Sequence, residues 1–321
     1  TITRLSNEKS KFMALETTIL LITFNRPDHT AKVLASIKKQ RPERMFVFRD
    51  GPRLEAPDDA QKCLAVENLI LREIDWDCEL ETCIEPENLG CGYGPAKAIT
   101  WFFDQVEQGI ILEDDCLPVQ SFFTYCEELL EKYKEDTRIY MISGFNPLNK
   151  WRERKKSYVF TPIGNSLGWA TWAKRWEKFD YKLCEWFNDE IKKKILHTLG
   201  NKRFYNYYSE HFEKLFAAPQ KDIWDFQWAY ARYASGGYTI VPAVCLINNI
   251  GFDVEATHTK SSENLLSQLE TKDISFPLRH SSFKIDKLYT WLVFERYRNT
   301  KKRNILHKIL YKLLKTVYGI K

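Results

Sequence analysis

Residues 109–118 read GIILEDDCLP, an apolar run that meets three adjacent carboxylates, Glu113, Asp114 and Asp115, before Pro118 opens a new segment. Like charges a few ångströms apart repel, so this local cost must be offset by something nearby. If the strand carries on through the acids, side-chain alternation puts Glu113 and Asp115 on one face and Asp114 on the other. A divalent cation is a hard Lewis acid, and one or two carboxylates together with phosphate oxygens suffice to hold Mg²⁺ or Mn²⁺. The plainer reading is a solvated acidic turn. Placement at the end of a buried strand favours the metal.

Working outward, the same strand-like texture recurs upstream. TTILLITF (17–24) is rich in β-branched and aromatic residues, and RMFVFRDGP (44–52) is a second such run closed by an Asp-Gly-Pro turn. Between them NRPDHTAKVLASIKKQ reads as a loop and helix, with Asp28 as N-cap and Val33, Leu34 and Ile37 facing inward. A helix is expected over 57–72 and a strand over 78–86. A glycine-rich loop follows at 87–95, then a helix over 97–106. The acidic strand comes fourth, and PVQSFFTYCEELLEKYK follows as an amphipathic helix with Pro118 in its first turn. Four strand–helix alternations predict an α/β fold, a mostly parallel sheet with helices on both faces. Ligands in such sheets gather outside the carboxyl ends of the strands. Arg26, Asp50 and Glu113–Asp115 all fall at those ends, so they are expected to converge. Beyond residue 145 the pattern changes: NPLNKWRERKKSYVF reads as a charged loop, and GNSLGWATWAKRWEKFD opens a helical, tryptophan-rich second half, with no linker-like composition between the halves.

Composition narrows the class. Apolar residues make up 44% of 321, enough for a large core, yet no uncharged apolar stretch reaches membrane-spanning length and no signal-peptide pattern opens the chain. Residues 1–16 are expected to be a flexible segment, and its first part need not be native. The eight cysteines form no CxxC pair or zinc spacing, which points to a reduced, cytoplasmic protein. The net charge of +5 conceals an asymmetry: residues 279–321 carry +10 and the remaining 278 carry −5.

Five pieces in series resemble a family. ILLITFNR, VFRDG, IILEDDCLPVQSFFTYCEELLEKYKEDTRIYMISGFN, NSLGWATWAKRWEKF and WDFQW, spread over residues 19–260, are similar to GT-A glycosyltransferases. They are closest to the N-acetylglucosaminyltransferases acting on mannose of N-glycans and their bacterial relatives. The resemblance implies a Rossmann-like GT-A domain with a nucleotide-sugar half over 17–145 and an acceptor half over 146–262. It implies a UDP-sugar donor, a glycan or lipid-linked glycan acceptor, and an inverting, Mn²⁺- or Mg²⁺-dependent reaction. At matching positions Asp115 would ligate the metal, Asp114 the ribose, Glu113 the transferred sugar and Asp50 the uracil edge, with Arg26 near the nucleotide. Lys97 and the backbone of 87–97 would line the donor site, and His258 in the late loop NNIGFDVEATHT would meet the diphosphate or metal. Asp225, of Trp224–Asp225, would be the catalytic base, although Phe226 replaces the second acid of the family motif. Asp222 and Asp225 also fit a pair serving a helix N-terminus. Trp169 fits either a sugar platform or the core. The family setting further implies bacterial surface-polysaccharide synthesis on the cytoplasmic side.

Two rival readings stay open. A sugar-phosphate nucleotidylyltransferase shares the sheet but would want a glycine-rich basic loop after the first strand, and FNRPDHTAK lacks the glycines. A non-catalytic binding protein would have no use for Asp115 and Asp225 together. The basic tail, residues 263–321, ends in RNILHKILYKLLKTVYGIK, where Ile305, Ile309, Leu313 and Val317 recur every fourth residue beside Leu306, Leu310, Leu314 and Tyr318. This is a cationic amphipathic helix suited either to an anionic membrane surface or to docking on the body. No recognition motif accompanies the charge, which excludes nucleic acid.

Overall fold

A computed structural model describes residues 15–218, 222–251, 269–298 and 305–318. The alternating region unfolds in order as β1 (Ile19–Thr23), α1 (Pro27–Lys38), β2 (Arg44–Arg49), α2 (Asp59–Glu73), β3 (Glu79–Ile84), α3 (Gly90–Phe103), β4 (Gln108–Glu113), β5 (Cys116–Pro118), α4 (Ser121–Tyr133) and β6 (Ile139–Ser143). The chain continues through β7 (Tyr158–Thr161), β8 (Trp169–Trp172), α5 (Ala173–Trp176), α6 (Asp189–Leu199), α7 (Lys202–Ala217), α8 (Asp225–Ser235), β9 (Tyr238–Pro242), β10 (Ile247–Asn249), α9 (Lys287–Val293) and α10 (Ile305–Tyr318).

Eight strands form one sheet in the order β3-β2-β1-β4-β8-β6-β9-β7. The pairs β2–β3, β1–β2, β1–β4 and β6–β9 are parallel, while β8 and β7 run against their neighbours. The α/β expectation holds: the sheet is mostly parallel and covered on both faces. Alternation decides which residue goes where. Ile19, Leu21, Met45, Val47, Ile110 and Leu112 share a core with Val33, Leu34 and Ile37 of α1 and with α4. Leu20, Ile22, Phe46, Phe48 and Ile111 pack on the opposite face against Ile99 and Phe102 of α3 and a tryptophan group. A third core, beneath α6, α7 and α9, is built from residues of the later chain, including Trp151, Trp186 and Tyr208.

Several boundaries differ from expectation, each for a local reason. The second half, expected as a charged loop and then helices, supplies β7, β8 and β9, so the sheet crosses the expected division at 145. WATW is a strand whose alternate residues, Trp169 and Thr171 against Ala170 and Trp172, enter two buried faces. Asp28 is not the N-cap of α1; Pro27 starts that helix and Arg26 precedes it. Pro118 ends β5 and is not the first turn of α4. The glycine-rich segment expected as a loop is helical from Gly90, and Pro95 stands inside that helix, past its first turn, where it forgoes one intrahelical bond. No helix among the described residues is long and apolar enough to cross a membrane. All eight cysteines are free thiols.

Candidate active site at the strand ends

The acidic cluster sits where β4 stops. The strand ends at Glu113, and Asp114 and Asp115 form the turn into β5. Side-chain alternation therefore does not reach Asp115, contrary to the expected shared face with Glu113. Glu113 instead continues the Ile111 side, toward α3 and α8, while Asp114 and Asp115 both reach Arg26. The Arg26 guanidinium pairs with Asp114, which is buried, and lies 3.3 Å from Asp115. Arg26 is held in place because Pro27 starts α1 directly behind it and its carbonyl accepts from the Thr30 N–H at 3.0 Å.

Three acids thus share one guanidinium, which leaves the cluster with excess negative charge. Burial, then the charges of Asp115 and Asp114, push Glu113 up to about 8. Burial also raises Asp114, to about 6, against the pull of Arg26. Asp225 adds to the pressure on Glu113, so the α8 carboxylate belongs to the same electrostatic site. A deficit of positive charge at a carboxylate cluster fits a divalent cation. Among the described residues no group of three or more His, Cys, Asp or Glu side chains converges to hold a metal unaided. The donor set therefore suits an ion completed by phosphate oxygens, not a closed protein cage.

The segment after β10 packs against Asp115. β10 pairs antiparallel with β5, and the Ile250 N–H donates to the Asp115 carbonyl at 2.9 Å. The Ile250 carbonyl lies 3.0 Å from His29 Nε2. At Gly251 a side chain would collide with the Asp115 carboxylate, so only glycine allows this approach. His258, assigned above to the diphosphate, lies outside the described residues.

Asp50, at the end of β2, has a different environment. Its Oδ1 accepts from the backbone N–H groups of Gly51 (2.8 Å) and Leu89 (2.8 Å), and its Oδ2 from Asn88 Nδ2 (3.0 Å) and the Gly90 N–H (3.2 Å). Two of these donors are orphan amides at the start of α3, so Asp50 caps that helix from a neighbouring strand. Burial raises its pKa, while the amides of Leu89, Gly51 and Gly90 draw it back down. These four bonds hold the carboxylate against the start of α3. Lys97 is tied by Glu85 at 2.6 Å, at the end of β3.

Asp225 occupies the first position of α8, its Oδ1 accepting from the Phe226 N–H at 2.9 Å. Asp222 is not a cap for α8; it accepts the Cys91 thiol at 2.9 Å, joining α8's approach to the first turn of α3. A small surface recess borders Asp225 and is walled by Tyr208, Phe226, Trp228, Asn165 and Ser166. Trp169 is buried and stacks on Trp224 at 5.8 Å, which makes it core and not a sugar platform. Sequence reasoning missed Glu85, Cys91 and Asp222, which position the site's elements. Their partners lie too far along the chain to be read locally.

No family model matches the sequence, and no curated protein is significantly similar to it. Among solved structures, 4-diphosphocytidyl-2C-methyl-D-erythritol synthase from Anaerococcus prevotii is 8% identical, with a TM-score of 0.35 over 72% of this chain and 91% of that one. HddC from Yersinia pseudotuberculosis is 10% identical, with a TM-score of 0.32 over 51% of this chain and 80% of that one. The inositol-1-phosphate CTP transferase from T. maritima is 10% identical, with a TM-score of 0.32 over 51% and 74%. Similarities of this size decide nothing about activity, and the resemblance to N-acetylglucosaminyltransferases gains nothing from them.

Proposed function

We propose that the protein is an inverting, metal-dependent glycosyltransferase that moves a sugar from a UDP-sugar to a hydroxyl of a glycan or lipid-linked glycan. The observation that carries this reading is the pairing of two separate acidic features. The Glu113–Asp115 cluster lies at the strand ends with more negative charge than Arg26 offsets, and Asp225 comes from a different element, α8, close enough to press on Glu113 and bordering a small recess. Donor cleavage and acceptor deprotonation need two such centres. Mn²⁺ or Mg²⁺ would be held by Asp115 together with the donor's phosphate oxygens, and when bound supplies an electrophile for the charge on the departing diphosphate. Arg26 and Asp114 fix the turn that presents Asp115. Asp225 takes the proton of the acceptor hydroxyl as its oxygen bonds to the anomeric carbon and the bond to UDP breaks.

Asp225→Asn is expected to keep UDP affinity near the parent value and to lower kcat by about 10²–10⁴. The measurement is single-turnover UDP release together with calorimetric UDP binding. A variant that loses UDP binding while its chemistry persists would leave Asp225 a helix-terminus residue and move the base elsewhere.

The second reading is a sugar-phosphate nucleotidylyltransferase, the kind of enzyme that UDP-glucose pyrophosphorylase, among the similar structures, is. Against it stands the connection between β1 and α1, only residues 24–26, which has no glycine and commits Arg26 to carboxylates. Pyrophosphate release from UTP and a sugar 1-phosphate, without UDP release from any UDP-sugar, would favour it. Release of neither product would leave a binding protein.

A further inference from the structure

The C-terminal helix shows two faces in two different situations. Tyr311, Leu314 and Tyr318 of α10 pack on the core beneath α6, α7 and α9. Tyr318 lies 4.6 Å from the Trp151 ring, and Arg152 stands over both rings. Leu310, Leu313 and Val317 form a second row at helical spacing, and they stay 46%, 59% and 73% exposed. Docking therefore uses part of the apolar band and leaves the rest facing water, which a helix serving only as a lid for the core would not need.

The docked contact brings a second feature beside the helix. Residues 150–156, KWRERKK, are a basic loop in which Lys150, Arg152, Arg154 and Lys155 are exposed. Trp151 and Arg152 are the residues that meet Tyr318, so this loop and the helix form one continuous surface. Lys312 and Lys315 are exposed on the helix as well. Two segments far apart in sequence, both cationic, thus meet at Tyr318, on the helix that also carries the exposed aliphatic row.

We propose that α10 and the 150–156 loop together form a docking surface for an anionic lipid bilayer. Leu310, Leu313 and Val317 enter the interfacial region, and the surrounding Lys and Arg side chains meet lipid phosphates. An exposed aliphatic row supplies the apolar area, and the cations supply the long-range attraction, the two components reversible interfacial binding requires. The body of the protein, residues 1–278, carries −5, so the attraction is local to this surface.

The test is co-sedimentation of the full chain with vesicles of phosphatidylglycerol and phosphatidylcholine, and with vesicles of phosphatidylcholine alone. Binding is expected to the anionic vesicles only and to fall at least tenfold between about 0.05 and 0.5 M salt, as the screening length shortens. Leu313→Gln with Val317→Gln is expected to lower the partition coefficient about tenfold or more, at an unchanged melting temperature, because both side chains are already in water. Arg154→Glu with Lys155→Glu, on the body, is expected to lower it by a similar factor, since each charge near the surface is worth about fivefold. Equal binding of the loop variant and the parent would overturn the composite surface. Equal binding to neutral vesicles would overturn the charge requirement. A concentration-dependent dimer in sedimentation velocity, abolished by the Leu313/Val317 variant, would assign the row to a second copy of the chain instead. Retention on duplex DNA but not on vesicles would assign the cations to nucleic acid.

Discussion

Asp50 and the Glu113–Asp115 cluster end neighbouring parts of the same sheet, yet they are opposites in how their charge is met. Asp50 is surrounded by donors, three backbone amides and a side-chain amide, which fix loop 88–90 and the start of α3. The cluster has three acids and one guanidinium, and Glu113 is driven up to about 8 as a result. A carboxylate with a full set of protein donors is a structural fastener. A carboxylate group short of positive charge has something still to bind. Charge supply, more than position at a strand end, separates the two roles.

The largest test of this contrast is catalytic. Asp115→Ala should lower turnover by about 10²–10³, roughly 3–4 kcal/mol of transition-state stabilisation. Its stability should stay within about 0.5 kcal/mol of the parent, since it removes a repelled charge near the surface. Full activity of the parent protein in excess EDTA would break the assignment of a metal to this end of the comparison.

Asp50→Ala should do the reverse. It leaves the Leu89 and Gly90 amides and Asn88 without their acceptor, and should cost about 2–3 kcal/mol of stability in urea titration. A variant as stable as the parent but unable to bind UDP would show that Asp50 reads the nucleotide after all and would erase the contrast.

The smallest effect is on pH dependence in metal-free buffer. Glu113 keeps its proton to about pH 8 in the folded protein, against an unperturbed value of 4.5. Between these values the native state binds more protons than the unfolded chain, so stability falls as pH rises across the window. Asp114 contributes in the same direction up to about pH 6. Melting temperature measured with EDTA should therefore decline from pH 5 to pH 8, and Glu113→Gln should flatten that decline. Adding Mn²⁺ should flatten it too in the parent protein.

Much of this architecture can be read from residue order alone. The runs ILLIT, MFVF and IILE have only one buried solution in a chain of this periodicity, and the parallel sheet follows from them. The strand-end placement of Arg26, Asp50 and Glu113 followed in turn. What stayed hidden depended on partners distant in the chain. Nothing near Asp50 announces that Leu89 and Gly90 will return to it, and helix propensity argues against starting α3 at a glycine. The WATW run was read as helical because its neighbours are, while its two flanking strands were needed to show otherwise. At the tail, the four-residue recurrence disclosed the apolar band but not which side would find Trp151. The roles of Asp115, Asp225 and Lys97 toward ligand remain proposals that rest on chemistry and on the family resemblance.

The position of β8 has a consequence for how the chain is made. It lies between β4 and β6 and runs against both, so the two earlier strands cannot join until Trp169–Trp172 have left the ribosome. Until then the backbone groups along one side of β4 are unsatisfied, and that side is one of the most apolar stretches in the chain. An open strand edge of this kind recruits other nascent chains. The same insertion makes residues 15–145 a poor choice for separate expression, because any fragment ending there displays the edge permanently. Vectorial synthesis thus places a waiting period in the middle of this sheet, between the emergence of Gln108–Glu113 and that of Trp169–Trp172.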